Sequence, residues 1–258
     1  MFERLSDCVW RHHDEAGSTS YLIVGSQRAA MVDCGATGER LLPTIREITS
    51  LPIDLLLTHA HPDHYASAAE FERIWLHEAD IRALTVLEEA FSALGAPPLG
   101  ADRLTPFADG HVFELGGRQL LACALPGHTP GSTVFIDDAD GCMFTGDAVG
   151  SGDIVLMSVP LASTLSAYRD ALRAFLDRTC TREGYLWHAG HVHQAVRATG
   201  ESNPPCRALC EEMAALCDAV LCGSVQGAEV EERFAPQGRA LRAYCGRAGL
   251  VYCAEQIC

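Results

Sequence analysis

Lysine is missing from this 258-residue chain: all 19 basic residues are arginines, set against 34 acidic residues and a formal charge of −15. A surface this acidic, with no run of basic residues to interrupt it, repels phosphate backbones and anionic bilayers. Nucleic acid and membranes are therefore not expected as partners. Long apolar runs are missing too. No stretch reaches the roughly 18 uninterrupted apolar residues of a membrane span. The opening "MFERLSDCVWRHHDE" is charged and lacks the apolar core of a secretion signal. A cytoplasmic location is the expectation that follows. The C-x-x-C pair is absent as well, although there are twelve cysteines. In a long chain without an export signal, reduced and mostly buried thiols are expected. Cys206, Cys210 and Cys217 share one face of an expected helix, where cysteine acts as a small core residue.

What remains is an ordinary globular balance, 48% apolar and 21% charged, without a linker or a shift of composition. One domain over residues 1–258 is expected. "TSYLIVGSQRAAMVDCG" reads as a β-hairpin with a Gly-Ser-Gln turn, and Leu41 to Ser50 has helical spacing. The spacing predicts a buried strand over 52–61, a short helix from Ala66 to Arg73, a strand at "IWLH" and a helix from Asp80 to Leu94. "GAPPLGADRLTP" is rich in breakers and reads as a loop. Strands are expected at "HVFEL", "RQLLACAL", "STVFIDD", "GCMFTGDAVGSGD" and "GYLWHAGH", with amphipathic helices from Ser163 to Arg178 and Pro205 to Cys222. This alternation suits two sheets packed face to face with helices outside.

The polar clusters fall at the ends of those strands. "LLLTHAHPDHYAS" places His59, His61, Asp63 and His64 directly after an apolar run. A packed core cannot hold so many imidazoles without partners for their ring nitrogens. In an extended segment His59 and His61 point the same way, because the side-chain period is two. Asp63 and His64 lie where the strand gives way to a helix and can face a second point nearby. Imidazole and carboxylate suit zinc and similar metals. His128 in "PGHTPGS", Asp147 in "TGDA" and His191 in "AGH" supply three more such ligands.

Taken in order, Asp33 in "VDCG", then "THAHPDH", "PGHTPGS", "TGD" and "GH", the series resembles the metallo-β-lactamase superfamily from about residue 18 to 193. The resemblance implies an α+β fold, a four-layer αββα sandwich of two mixed β-sheets with helices outside. It implies that His59, His61 and His128 hold one divalent ion, Asp63, His64 and His191 a second, and that Asp147 bridges them. Zinc is the expected metal, with iron or manganese as alternatives. Asp33 is implied as a support beneath the site. His188 and His193 flank His191, but only His191 follows a glycine as the motif requires. His12, His13, His77 and His111 are expected to be non-ligands. The motif is followed by Tyr65 where many relatives carry a glycine pair; packing under the site is expected of it, with contact to substrate as the alternative.

Two such cations can hold a bridging hydroxide and polarise a carbonyl, and Asp63 is the residue placed to orient that nucleophile and pass its proton. The resulting expectation is a hydrolase acting on a small ester, thioester or lactone. An iron-dependent oxidoreductase of the same fold, sulfur-dioxygenase or flavodiiron-like, and a phosphodiesterase are the alternatives.

Overall fold

The computed structural model describes residues 1–92, 95, 97–150, 154–192 and 203–257. The first sheet runs in chain order: β1 (Glu3–Arg4), β2 (Val9–His13), β3 (Thr19–Val24), β4 (Ala29–Val32), β5 (Ile53–Leu56), β6 (Arg73–His77) and β7 (Leu104–Phe107). The first four strands form an antiparallel meander and the last four pair in parallel. Parallel pairing needs a crossover between strands, supplied by α1 (Leu42–Ile48) before β5 and α3 (Glu78–Phe91) before β7. The second sheet has the order β13 (Leu186–Ala189), β11 (Cys142–Gly146), β10 (Thr133–Asp137), β9 (Gln119–Ala124) and β8 (Val112–Glu114), with β11 and β13 parallel.

The sheets face each other across a core that draws Tyr21, Ile23, Val32 and Leu56 from one side and Leu120, Ala122, Phe135 and Phe144 from the other. Outside the first sheet, Ile45, Leu84, Leu87 and Phe91 pack on Leu55, Ile74 and Leu76. Outside the second, α4 (Leu165–Arg178) and α5 (Arg207–Leu221) bury Tyr168, Leu172, Phe175, Met213 and Cys217 over Val134, Ile136 and Met143. This is the αββα sandwich. Among the described residues no helix is long and apolar enough to cross a membrane.

Three features differ from the sequence-based expectation. The helix placed at Ala66–Arg73 is instead α2 (Pro62–Tyr65), followed by a single 3₁₀ turn at Ala68–Glu70. Proline is preorganised for the first helical position, so Pro62 starts the helix inside the histidine motif itself. β7 occupies the end of the segment read as loop, because its Leu-Thr-Pro-Phe gains strand form only by pairing with β6. A third sheet stands beyond the two expected, in the order β12 (Ile154–Leu156), β16 (Ala248–Tyr252), β15 (Arg239–Cys245) and β14 (Ala228–Glu231). Its Ala243, Leu250 and Tyr252 share the core of α4 and α5.

Candidate metal centre

The parallel strand β5 delivers Thr58 and His59 to one end of the sandwich, and α2 turns the chain so that Asp63 and His64 face back toward them. From the second sheet, the turn after β9 brings His128, the end of β11 brings Asp147, and the turn after β13 brings His191. Thr133 N–H donates to the Thr58 carbonyl at 2.9 Å and locks the two sheets together at this point. Close approach demands glycine beside two ligands. A Cβ on Gly146, whose φ is +49°, would lie 2.4 Å from Thr58 Oγ1, and one on Gly190 would lie 2.7 Å from Asp147 Oδ1.

All seven predicted ligands come together. The donor atoms of His59, His61 and His128 lie within 4.8 Å of one another, as do those of Asp63, His64 and His191. Asp147 groups with His59 and His64 on the same criterion. Its carboxylate oxygens also lie 3.8 Å from His128 Nε2 and 3.4 Å from His191 Nε2, between the two triads. The Nε2 atoms of His59, His61, His64 and His128 are buried without a hydrogen-bond partner. Four orphaned imidazole nitrogens converging on one point are costly unless a cation uses them. That donor set, histidine nitrogen with carboxylate oxygen, fits zinc-type divalent ions.

For His59, His64 and His128 the opposite ring nitrogen is already committed, which fixes how those three rings are turned. Asp33, itself in the left-handed region at φ +56°, accepts from Thr58 N–H and Oγ1 at 2.8 Å each and from His64 Nδ1 at 2.8 Å. Thr58 Oγ1 gives its proton to Asp33 and so accepts from His59 Nδ1 at 3.0 Å. His128 Nδ1 donates to the Leu156 carbonyl at 2.7 Å. Tyr21 Oη donates to the Ala189 carbonyl and Tyr168 Oη to that of Ala148, each at 2.7 Å, bracing the turns that carry His191 and Asp147.

The electrostatics divide along the same lines. Burial, reinforced by neighbouring imidazoles, holds His59 and His61 well below the ordinary histidine range, so their nitrogens keep free lone pairs. Burial likewise lowers His128. For His64 and His191 burial works the same way but is outweighed by carboxylates: Asp33, Asp63 and Asp147 push His64 up to about 9, and Asp147 with Asp63 pushes His191 up to about 11.

The other described histidines stand outside these donor groups. His188 stacks on Phe144 at 5.4 Å and 24°, away from the ligand groups. His12 bonds to Glu39 at 2.7 Å, His77 caps α3 by accepting from Ala79 N–H, and His111 packs on Trp75 and Phe113. His13 is exposed. His193 lies outside the described residues. Tyr65 is buried in the core beneath the first sheet's outer face, as expected.

Sequence reading missed Asp80. Its carboxylate accepts from Ala60 N–H at 2.9 Å, Thr129 Oγ1 at 2.9 Å and Gly131 N–H at 2.6 Å, tying the His59–His64 turn to the His128 turn. Burial pushes this carboxyl up to about 6 against the pull of those donors. Its sequence signal, an aspartate opening a helix, is indistinguishable from an ordinary cap. Above the ligands opens a cavity of about 430 Å³, walled by Phe91, Leu156, Val159, Arg233 and Phe234. Asp63 reaches into it with 44% of its side chain exposed, against 9% for Asp147.

This constellation has counterparts in known proteins. The chain is 34% identical over 137 residues to the hydroxyacylglutathione hydrolase GloC of Haemophilus influenzae, covering 50% of this chain and 64% of that one. It is 30% identical over 165 residues to the acyl-coenzyme A thioesterase MBLAC2 of Gallus gallus, covering 52% and 58% respectively. It therefore spans less than two thirds of the length of either relative. Among solved structures, TTHA1623 in a di-iron-bound form is 28% identical with a TM-score of 0.51, covering 67% of this chain and 87% of that one. The family model of the metallo-beta-lactamase superfamily matches residues 13–182, which takes in six of the seven ligands and well over half of the chain, and the protein belongs to that superfamily.

Proposed function

We propose that the protein is a metal-dependent hydrolase of thioesters. The observation that carries this reading is the set of four buried, unpartnered Nε2 atoms beside a partly apolar cavity, which His61, His128, Asp63 and Asp147 line. His59, His61 and His128 would hold one divalent ion and Asp63, His64 and His191 the other, with Asp147 between them. When bound, such a pair supplies Lewis acidity, lowering the pKa of a coordinated water from 15.7 to about 7 and polarising the substrate carbonyl. Asp63, the more exposed carboxylate, orients the attacking water and accepts its proton. Leu156 and Val159 form an apolar wall that shields the reacting carbonyl from bulk water.

The leaving group favours a thioester over an oxygen ester. A thiol has a pKa near 8.5 and departs as thiolate without help, whereas an alkoxide needs an acid. Among the described lining residues the carboxyls are Asp63 and Asp147 alone, so an alkoxide would depend on Asp63 returning the proton it took from water, a step a thiolate does not require. The printed names of the relatives, a hydroxyacylglutathione hydrolase and an acyl-coenzyme A thioesterase, support the same bond type.

In this reading residues 1–258 work as one unit on a small molecule, in the cytoplasm, with zinc in the site. The excess of 34 acidic over 19 basic residues supports excluding nucleic acid and anionic membranes as partners. Eleven described cysteines, all unpaired, support a reducing compartment. The di-iron form of TTHA1623 makes iron the metal to test against zinc. The deciding experiment offers purified protein thioester, lactone, phosphodiester and β-lactam panels, with elemental analysis and an oxygen electrode alongside. Thioester cleavage that is lost on chelation, without oxygen uptake, is the expected result. Preferential phosphodiester cleavage, or oxygen consumption by an iron-loaded site, would overturn it.

A further inference from the structure

The segment after β14 brings to the cavity a cation that the ligand motif does not use. Arg233 and Phe234 both line the cavity and lie outside the residues matched by the family model. Phe234 meets the ring of Phe91 at 4.9 Å, Phe91 meets the ring of His61 at 4.8 Å, and the Arg233 guanidinium sits 4.5 Å from the centroid of Phe234. Laid end to end, these contacts place the guanidinium no more than about 14 Å from a ligand ring. Most described arginines pair with a carboxylate or a backbone carbonyl. Among the described residues Arg233 has neither, and it is exposed, although Glu231 and Glu232 precede it. It is also the one lysine or arginine among the described lining residues.

Stacking on an aromatic face holds a guanidinium in place while leaving its edge of donors free. Those donors match carboxylate and phosphate oxygens in pairs. A chain with 34 acidic and 19 basic residues repels anions at long range, so a lone cation at the cavity changes which anions can enter. Resting on the thioesterase reading, we propose that Arg233, stacked on Phe234, recognises a carboxylate or phosphate carried on the thiol arm of the substrate. Placement on the thiol arm follows from product release. An anion on the acyl arm would leave a product carboxylate held at both the ligand cluster and Arg233. An anion on the thiol arm separates the two anchors when the carbon–sulfur bond breaks.

The test uses three acetyl thioesters: of N-(2-mercaptoethyl)succinamate, of its neutral isostere N-(2-mercaptoethyl)succinamide, and of a phosphate ester of matching length. Wild-type protein is expected to favour one or both anionic thioesters over the neutral one by about 10–100-fold in kcat/KM, through KM rather than kcat. The better of the two identifies the recognised group. In Arg233→Gln that ratio collapses toward unity, and Arg233→Lys restores part of it. Calorimetry on metal-free protein reads the same contact without turnover: the anionic thioesters bind more weakly to Arg233→Gln by a similar factor. Equal binding of charged and neutral thioesters by the wild type would overturn the inference while leaving the thioesterase reading intact. Anion-selective binding lost in Arg233→Gln, with no thioester turned over, would overturn the thioesterase reading and keep the anion site.

Discussion

His128 Nδ1 donates to the carbonyl of Leu156 at 2.7 Å, and that bond turns the ring's Nε2 toward His59 and His61. Leu156 ends β12, which pairs with β16, and the next residue is held on both sides. Met157 N–H donates to the Val251 carbonyl at 2.7 Å, and Gln256 Nε2 donates to the Met157 carbonyl at 2.7 Å and to that of Ser163 at 3.0 Å. The third sheet thus sets the orientation of a candidate ligand that the family motif supplies.

Removing this brace should loosen the site from a distance. Gln256→Ala is expected to weaken metal binding about 10-fold and to cost about 1 kcal/mol of stability. Competition with a chromophoric chelator, set beside a denaturant titration, measures both. Unchanged metal affinity in the variant would show that the Leu156 carbonyl is positioned without the third sheet.

Asp147 lies between the two triads, so its loss should affect both. Two ions per chain are expected in freshly prepared protein offered zinc, and Asp147→Ala should lower that number and remove turnover. At most one ion in the wild type, by elemental analysis with zinc in excess, would count against a dinuclear site.

Asp63→Asn separates holding from proton transfer. The amide keeps one ligand oxygen but cannot accept a proton, so kcat should fall by about 10²–10⁴ while the fold persists. A circular dichroism spectrum and a pH–rate profile read the two effects separately. Turnover within a fewfold of wild type would assign the proton to another group.

His188 offers a pH dependence with a definite sign. Burial, with help from the Arg11 charge, pushes its pKa down to about 4. The folded state thus keeps the ring neutral where the unfolded chain, near 6.5, already takes up a proton. Its contribution is fully present above pH 6.5 and is lost as pH falls toward 4, on the order of 3 kcal/mol in all. His188→Phe keeps the stack on Phe144 and Tyr21 and should flatten acid denaturation over that window. It should leave metal content unchanged, whereas His191→Ala should strip the ion shared with Asp63 and His64.

The thiols divide by exposure. Cys180, Cys222 and Cys245 are exposed, while Cys34, Cys123, Cys142, Cys210, Cys217 and Cys253 are buried. A brief pulse of alkylating agent on native protein should label the first three, and denaturation without reductant should bring the count close to the twelve present in the chain. Disulfide-linked peptides in the denatured sample would contradict a reducing compartment.

The candidate ligand set was legible because its residues are local: H-x-H-x-D-H writes four candidate ligands into six positions, and each remaining candidate sits beside a glycine that its packing demands. Most strands of the two facing sheets were legible for a similar reason, since apolar runs separated by turn residues mark them, whereas β1, β2 and β7 carry no such mark. The third sheet was not. Ala228–Glu231 carries two glutamates in four positions and takes strand form only through its pairing with β15. Pro62 starts α2 four residues ahead of the helix that the spacing predicts from Ala66. Asp80, the Leu156 carbonyl and the Arg233–Phe234 pair escaped because each acts across a long sequence separation. No local pattern records that kind of contact.

The pairing of β12 with β16 also has a temporal meaning. Roughly 95 residues separate the two strands. At about 5–20 residues per second a ribosome needs roughly 5–20 s to pass from one to the other. During that interval a nascent chain already holds its first ligands, yet His128 still lacks the fixed acceptor that aims it. An ion captured early would meet imidazoles free to rotate, and the wrong tautomer or a stray ligand could be trapped. If β16 must arrive before His128 is aimed, a metal offered during synthesis would find its full set of fixed donors only after the sandwich has closed.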